Sequence, residues 1–159
     1  MMVQILLKKE YKASLKKRTK SDMIISFFVA AFMGVVAFSQ VKSYFMGGKD
    51  ILNLYNGMYG VILCGVCIIL GLILREVQLN GKPFTKKITK MLRIIAMIVM
   101  IGGFVPAVVS PFVNSDGTTV SFHFDVINFA FSALGVMIGI ISEMFVYGYE
   151  LQDDNDSIA

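Results

Sequence analysis

The stretch LYNGMYGVILCGVCIILGLIL, residues 54–74, contains no Asp, Glu, Lys or Arg. An α-helix rises about 1.5 Å per residue, so about 20 apolar residues cross the roughly 30 Å hydrocarbon core of a bilayer. In hydrocarbon every backbone N–H and C=O must find its partner within protein, and a single crossing segment achieves this as a helix. Residues 54–74 therefore read as a transmembrane helix. Outward from it lie three more runs of the same kind, at 23–41, 92–113 and 124–147, with charges nearly absent from their central parts. The pattern predicts an all-α polytopic membrane protein, an antiparallel bundle of four transmembrane helices joined by short polar connections.

The composition agrees. Of 159 residues, 56% are hydrophobic and 16% charged, and the mean hydropathy is +0.71. A soluble domain of this size cannot hide that much apolar surface in one core. The net charge of +4 would suggest nucleic acid in a soluble chain, but here the cations are distributed by topology. Lys8, Lys9, Lys12, Lys16, Lys17, Arg18 and Lys20 precede the first run; Arg75, Lys82, Lys86, Lys87, Lys90 and Arg93 lie around the second connection. The other two connections hold only Lys42 and Lys49. This asymmetry predicts a cytoplasmic N-terminus, middle connection and C-terminus, and direct nucleic-acid binding is not expected.

The chain divides into a basic arm (1–21), a transmembrane domain (22–148) and an acidic tail (149–159). The basic region is long, the apolar run after it is span-length, and no small-x-small site follows, so the first run reads as an uncleaved span. Ile5, Leu6, Tyr11 and Leu15 alternate with the lysines of the arm. The arm either lies on the anionic inner leaflet, where each basic residue contributes roughly 1 kcal/mol, or stays solvated and only sets orientation.

Lipid tails are as apolar as the helices, so close approach at small residues must carry much of the packing between spans. Gly57, Gly60, Cys64, Cys67 and Gly71 follow one another at steps of three and four. Asp125, Asn128, Ser132, Gly135, Gly139 and Ser142 do the same, with Gly135–Gly139 as a GxxxG pair. The first run offers Ser26, Ala30, Gly34 and Ala37, and the third Ala96, Gly103, Ala107, Ser110 and Asn114. Pro106 should kink the third span or loosen its hydrogen bonding. A short outer loop is expected over 42–53 and a polar turn over 114–119. Within Asn80-Gly81-Lys82-Pro83-Phe84-Thr85, Thr85 has the chemistry of a helix N-cap.

Candidate chemistry is sparse. Cys64 and Cys67 have CxxC spacing but sit mid-span with no further cysteine, so packing is the reading set against redox or metal chemistry. His123, the only histidine, stands between two phenylalanines beside Asp125: an interfacial residue, or a weak metal or acid-sensing group. Asp125 and Asn128 either form an outer polar ligand site or lock the fourth helix to a neighbour. Glu143 is an acid within a span, either paired with Arg75 or Arg93 or coupled to a proton or substrate. No phosphate loop, HExxH, GxSxG or multi-histidine cluster is present. Neither an enzyme nor a cofactor or metal centre is expected.

Two segments carry a resemblance. Gly81-Lys82-Pro83-Phe84-Thr85, with Leu92-Arg93 following, resembles a G-x-P-F-T…L-R lead into a third span. Phe145…Gly148-Tyr149-Glu150-Leu151-Gln152-Asp153-Asp154-Asn155-Asp156-Ser157-Ile158 resembles a terminal F-x-x-G-x-x-L-x-x-(D/E)-x-D-(L/S)-x-I tail, with Ala159 as a mild departure. Both occur in a widespread family of small four-span bacterial membrane proteins catalogued as a domain of unknown function. Its members are often encoded beside a small helix-turn-helix DNA-binding protein. The resemblance implies a multi-pass protein of the bacterial cytoplasmic membrane that partners a transcription regulator. Pro83, Phe84, Gly148, Leu151, Asp153, Asp154 and Asp156 are then the partner-binding candidates, the acidic tail competing with DNA phosphates for a basic face. The acids also suit a solvated end that pairs with the protein's own inner loop. The alternatives are a ligand-binding or transport component using Asp125, Asn128 and Glu143, and an accessory or immunity subunit of a larger membrane complex.

Overall fold

The computed structural model describes residues 2–47, 51–81, 84–114 and 124–158. These form five helices: α1 (Met2–Gly47), α2 (Ile51–Asn80), α3 (Lys86–Gly102), α4 (Val105–Asn114) and α5 (Val126–Ile158). Four segments are long and apolar enough to cross a membrane, and the third of these, Lys86–Val109, runs through α3 into α4. The molecule is an all-helical, antiparallel four-span bundle.

Helix ends depart from the hydropathy boundaries for local reasons. The outer loop expected over 42–53 is shorter, because α1 continues to Gly47 and buries Tyr44. The arm and first span are one uninterrupted helix, and α5 likewise runs on through the tail. α2 stops where Gly81 adopts φ +65° and donates its N–H to the Val77 carbonyl at 2.9 Å. That left-handed conformation suits a residue without Cβ. Thr85 then caps α3, its Oγ1 accepting the Ile88 N–H at 3.2 Å.

The third span breaks at Gly103–Phe104. In an unbroken helix Pro106 would lack a donor for the Gly102 carbonyl and press its ring against it. The chain instead tightens, Phe104 N–H donating to the Ile101 carbonyl at 3.0 Å. It restarts at Val105, which places Pro106 in the first turn of α4, where a missing N–H costs nothing.

The spans pack as two close pairs, α1 on α2 and α3 on α5, and α2 joins the pairs through lighter contact with α3 and α4. In the first pair a Cβ on Gly60 would lie 2.9 Å from Ala37 Cβ, one on Gly57 2.6 Å from Val41 Cγ2, and one on Gly71 2.8 Å from the Phe27 ring. Cys64 Sγ donates to the Ala30 carbonyl at 3.2 Å, and Ser26 Oγ to the Cys67 carbonyl at 2.7 Å. The glycine and cysteine stripe of α2 thus faces the small-residue stripe of α1. Between the pairs, Ile73 of α2 packs with Ile88, Ile95 and Val99 of α3, and Phe131 and Phe145 of α5 close around them.

Candidate functional site

Two places gather polar or distinctive residues, one inside the bundle and one at the end carrying the α2–α3 connection. The interior one forms around the helix break. Asn128 is only 2% exposed. Its Nδ2 donates to the Gly103 carbonyl at 2.6 Å and to Tyr59 Oη at 2.8 Å. Its Oδ1 accepts the Asp125 N–H at 2.6 Å. That last bond is the backward half of a capping box, a third-position side chain returning to the N-cap amide. Tyr59 also stacks on Phe131 at 4.8 Å between ring centroids. One amide therefore ties α2, the α3–α4 break and the start of α5 together, and both its donors and its acceptor are engaged. Asp125 itself is exposed at the helix start. Of the two residues proposed as an outer site, Asn128 is built into the helix contacts and only Asp125 faces outward.

From the break toward the other end, α5 presents its small residues to α3 in succession. A Cβ on Gly103 would lie 2.8 Å from the Asn128 carbonyl oxygen, and one on Gly135 2.5 Å from the Met100 backbone nitrogen. Ser132 Oγ donates to the Met100 carbonyl at 3.0 Å and Ser142 Oγ to the Thr89 carbonyl at 3.3 Å. Arg93 Nη2 reaches both oxygens of Glu143, at 2.9 and 3.2 Å. Glu143 is thus an ion-paired acid at the α3–α5 seam, and its partner is Arg93 rather than Arg75.

The second place brings the two resemblance-bearing segments together. Phe84, from the α2–α3 connection, lies on Gly148 of α5: a Cβ there would meet its ring at 2.8 Å. Phe84 also meets Phe145 edge-on, at 5.1 Å between centroids. Beside them Lys86 Nζ sits 5.3 Å from the centre of the Tyr149 ring, a cation–π arrangement. Lys87 and Glu76 pair at 2.6 Å, and Asn80 Nδ2 donates to the same carboxylate at 2.7 Å. The seating of Phe84 on Gly148 and Phe145 joins residues over sixty positions apart in the chain. Past it, Leu151 is 65% exposed and Asp153 and Asp154 lie on the surface of α5. Pro83 and His123 lie outside the described residues, and of Asp156 only its place on α5 is described.

Sequence reasoning did not find Tyr59, which lies one residue before Gly60 and carries no spacing signal of its own. Among the described residues no three His, Cys, Asp or Glu side chains are grouped to hold a metal ion. Cys64 and Cys67 are free thiols in the α1–α2 seam. Replacing both by alanine is expected to cost about 1 kcal/mol or less, since a hydrogen bond between membrane helices averages about 0.6 kcal/mol. Thermal unfolding in mild detergent measures this; a collapse of the fold would overturn a simple packing role. In comparisons with known proteins, the chain matches no family model, no curated protein and no solved structure.

Proposed function

We propose that this is a non-enzymatic regulatory protein of the bacterial cytoplasmic membrane that holds a soluble partner at its cytoplasmic face. The partner's class is a small basic, helix-turn-helix DNA-binding regulator. The observation that carries the reading is the seating of Phe84 on Gly148 and Phe145. It gathers the two distinctive segments into one platform, from which Leu151, Asp153 and Asp154 project. The excess of Lys and Arg at this end supports its cytoplasmic placement. A packed aromatic floor under an acidic helix offers apolar contact together with an attractive field for a cationic surface. The partner reading is favoured over transport because Asn128 uses its whole amide on helix contacts and Glu143 is held by Arg93.

The test is affinity recovery from native-host membranes in mild detergent, with bound proteins identified by mass spectrometry. Wild type should recover a small DNA-binding protein, and a chain ending at Leu151 should lose it. That truncation keeps Phe84, Gly148 and Tyr149, so loss reports the tail and not the platform. Binding should also weaken with salt, as charge-driven contacts do. Undiminished recovery by the truncated chain would sink the tail-docking reading. Recovery of membrane proteins alone would point to an accessory subunit of a larger complex.

A further inference from the structure

The Arg93–Glu143 ion pair stands on one flank of the α3–α5 seam. Its side chains are 53% and 59% exposed, although Arg93 lies about 10 Å along the span that starts at Lys86. The pair fixes how the exposed residues of the two helices sit side by side. On α3, Lys86, Lys90, Arg93, Met97 and Met100 succeed one another at steps of four and three, all exposed. On α5, Val136, Ile140, Glu143, Tyr147 and Glu150 follow the same steps, also exposed. Each set stays within about 80° around its helix.

The helices are antiparallel, so levels are matched outward from the pair. Toward the α2–α3 connection, Lys90 comes level with Tyr147 and Lys86 with Glu150, as the placing of Lys86 over the adjacent Tyr149 ring requires. Toward the middle of the bundle, Met97 comes level with Ile140 and Met100 with Val136. The 3.8 Å from a Cβ on Gly139 to Ala96 Cβ marks that level independently. Both lines therefore change from polar to apolar at one height, that of the Arg93–Glu143 pair.

Cations at a membrane boundary ordinarily reach to water or to the headgroups at large, so position alone assigns nothing. What distinguishes these is how the chain uses them. Lys87, next to Lys86 but off the line, is taken by Glu76 at 2.6 Å. Lys90 has no hydrogen bond or ion pair among the described residues, and Lys86 meets a ring face. Both bonds from Arg93 to Glu143 use Nη2, so its other nitrogens keep their donors. Three cations and two carboxylates, Glu143 and Glu150, leave the line with one positive charge.

We propose that this flank of the α3–α5 seam holds one phospholipid bearing a single negative charge. Its phosphate lies against Lys90, Lys86 and the Tyr147 hydroxyl, and its acyl chains run along Met97 and Met100 and along Ile140 and Val136. A phosphate diester supplies the charge that balances the site and the acceptors that ammonium and phenol donors need. A zwitterionic headgroup leaves the positive charge unbalanced. Glu143 holds the guanidinium at the boundary between head and chains, and with Glu150 it opposes a second negative charge. Gly148, on which Phe84 rests, lies about 100° round α5 from Tyr147, and the lipid site does not depend on the partner reading.

The experiment follows lipid retention by the full-length chain in mild detergent, read by native mass spectrometry. Phosphatidylglycerol and phosphatidylethanolamine with identical acyl chains are added in turn. One phosphatidylglycerol per chain, retained in preference to phosphatidylethanolamine, is the expected result. Lys90→Gln should lower that retention about fivefold, the effect of one basic residue beside an anionic headgroup. Tyr147→Phe changes no charge and should lower it about twofold. Lys87→Gln removes the same charge as Lys90→Gln, but off the line, and should leave retention unchanged. Lys90 has no partner within the chain, so Lys90→Gln should unfold with wild type when no lipid is added. Equal retention of the two lipids, or equal losses in the two glutamine variants, overturns the site. Displacement of the lipid by millimolar inorganic phosphate would make a soluble phosphate the ligand and overturns the lipid assignment.

Discussion

Leucine at position 135 is expected to separate α5 from α3. Even the first atom of a side chain there would lie 2.5 Å from the Met100 nitrogen and 2.7 Å from its Cα, both backbone. Backbone cannot swing aside as a flexible side chain does, so the helices must part by more than an ångström over this stretch. The expected cost is about 3 kcal/mol, at the upper end for overpacking, and Gly135→Leu should unfold well below wild type on heating in mild detergent. The companion site gives the control. A Cβ at Gly139 meets only Ala96 Cβ, at an ordinary 3.8 Å. Gly139→Ala should therefore be neutral or stabilising by up to about 1 kcal/mol, because alanine is the better helix former. Equal losses at 135 and 139 would contradict the packing described.

The second large effect is expected at Asn128. Changing it to leucine keeps the number and branching of the heavy atoms but removes two donors and an acceptor from a buried node. The Gly103 carbonyl then keeps only the Tyr59 hydroxyl, 3.5 Å away. A buried polar group left unpaired costs about 1–3 kcal/mol, and hydrogen bonds between membrane helices average less, so about 2–3 kcal/mol is expected in all. Asn128→Asp separates the roles: it keeps an acceptor for the Asp125 amide but sets a carboxylate against the Gly103 carbonyl, and should be at least as damaging. Tyr59→Phe removes the hydroxyl that accepts from Asn128 at 2.8 Å and donates more weakly to the Gly103 carbonyl at 3.5 Å, and should cost only about 1 kcal/mol. If all three variants unfold alike with wild type, Asn128 is not the tie between α2, α5 and the break.

Parts of this were legible in the residues and parts were not. The stripe Gly57, Gly60, Cys64, Cys67 and Gly71 marks a face by spacing alone, but spacing does not name the face it meets; that proved to be Ala30, Gly34 and Ala37 of α1. Gly135 and Gly139 look equivalent as a GxxxG pair, yet only one sits against backbone, because local separation of two helices depends on their crossing and not on sequence. Asn128 left a ligand site and a helix lock equally open, since both need a polar group on an inward face. Its partner Tyr59 and the carbonyl freed at Gly103 had to be placed in space before the lock could be recognised.

Class, number of spans and the approximate place of each span were settled by the chain alone, because a bilayer forces local satisfaction of the backbone and makes length and apolarity sufficient signals. The Pro106 break and the Thr85 cap are equally local, each following from one residue's covalent chemistry. The tertiary structure decided which seams face each other, that Glu143 takes Arg93, and that Phe84 rests on Gly148. These are contacts between positions about 50 and 64 residues apart. In lipid they depend on shape at close range, and no periodicity along a single chain records it.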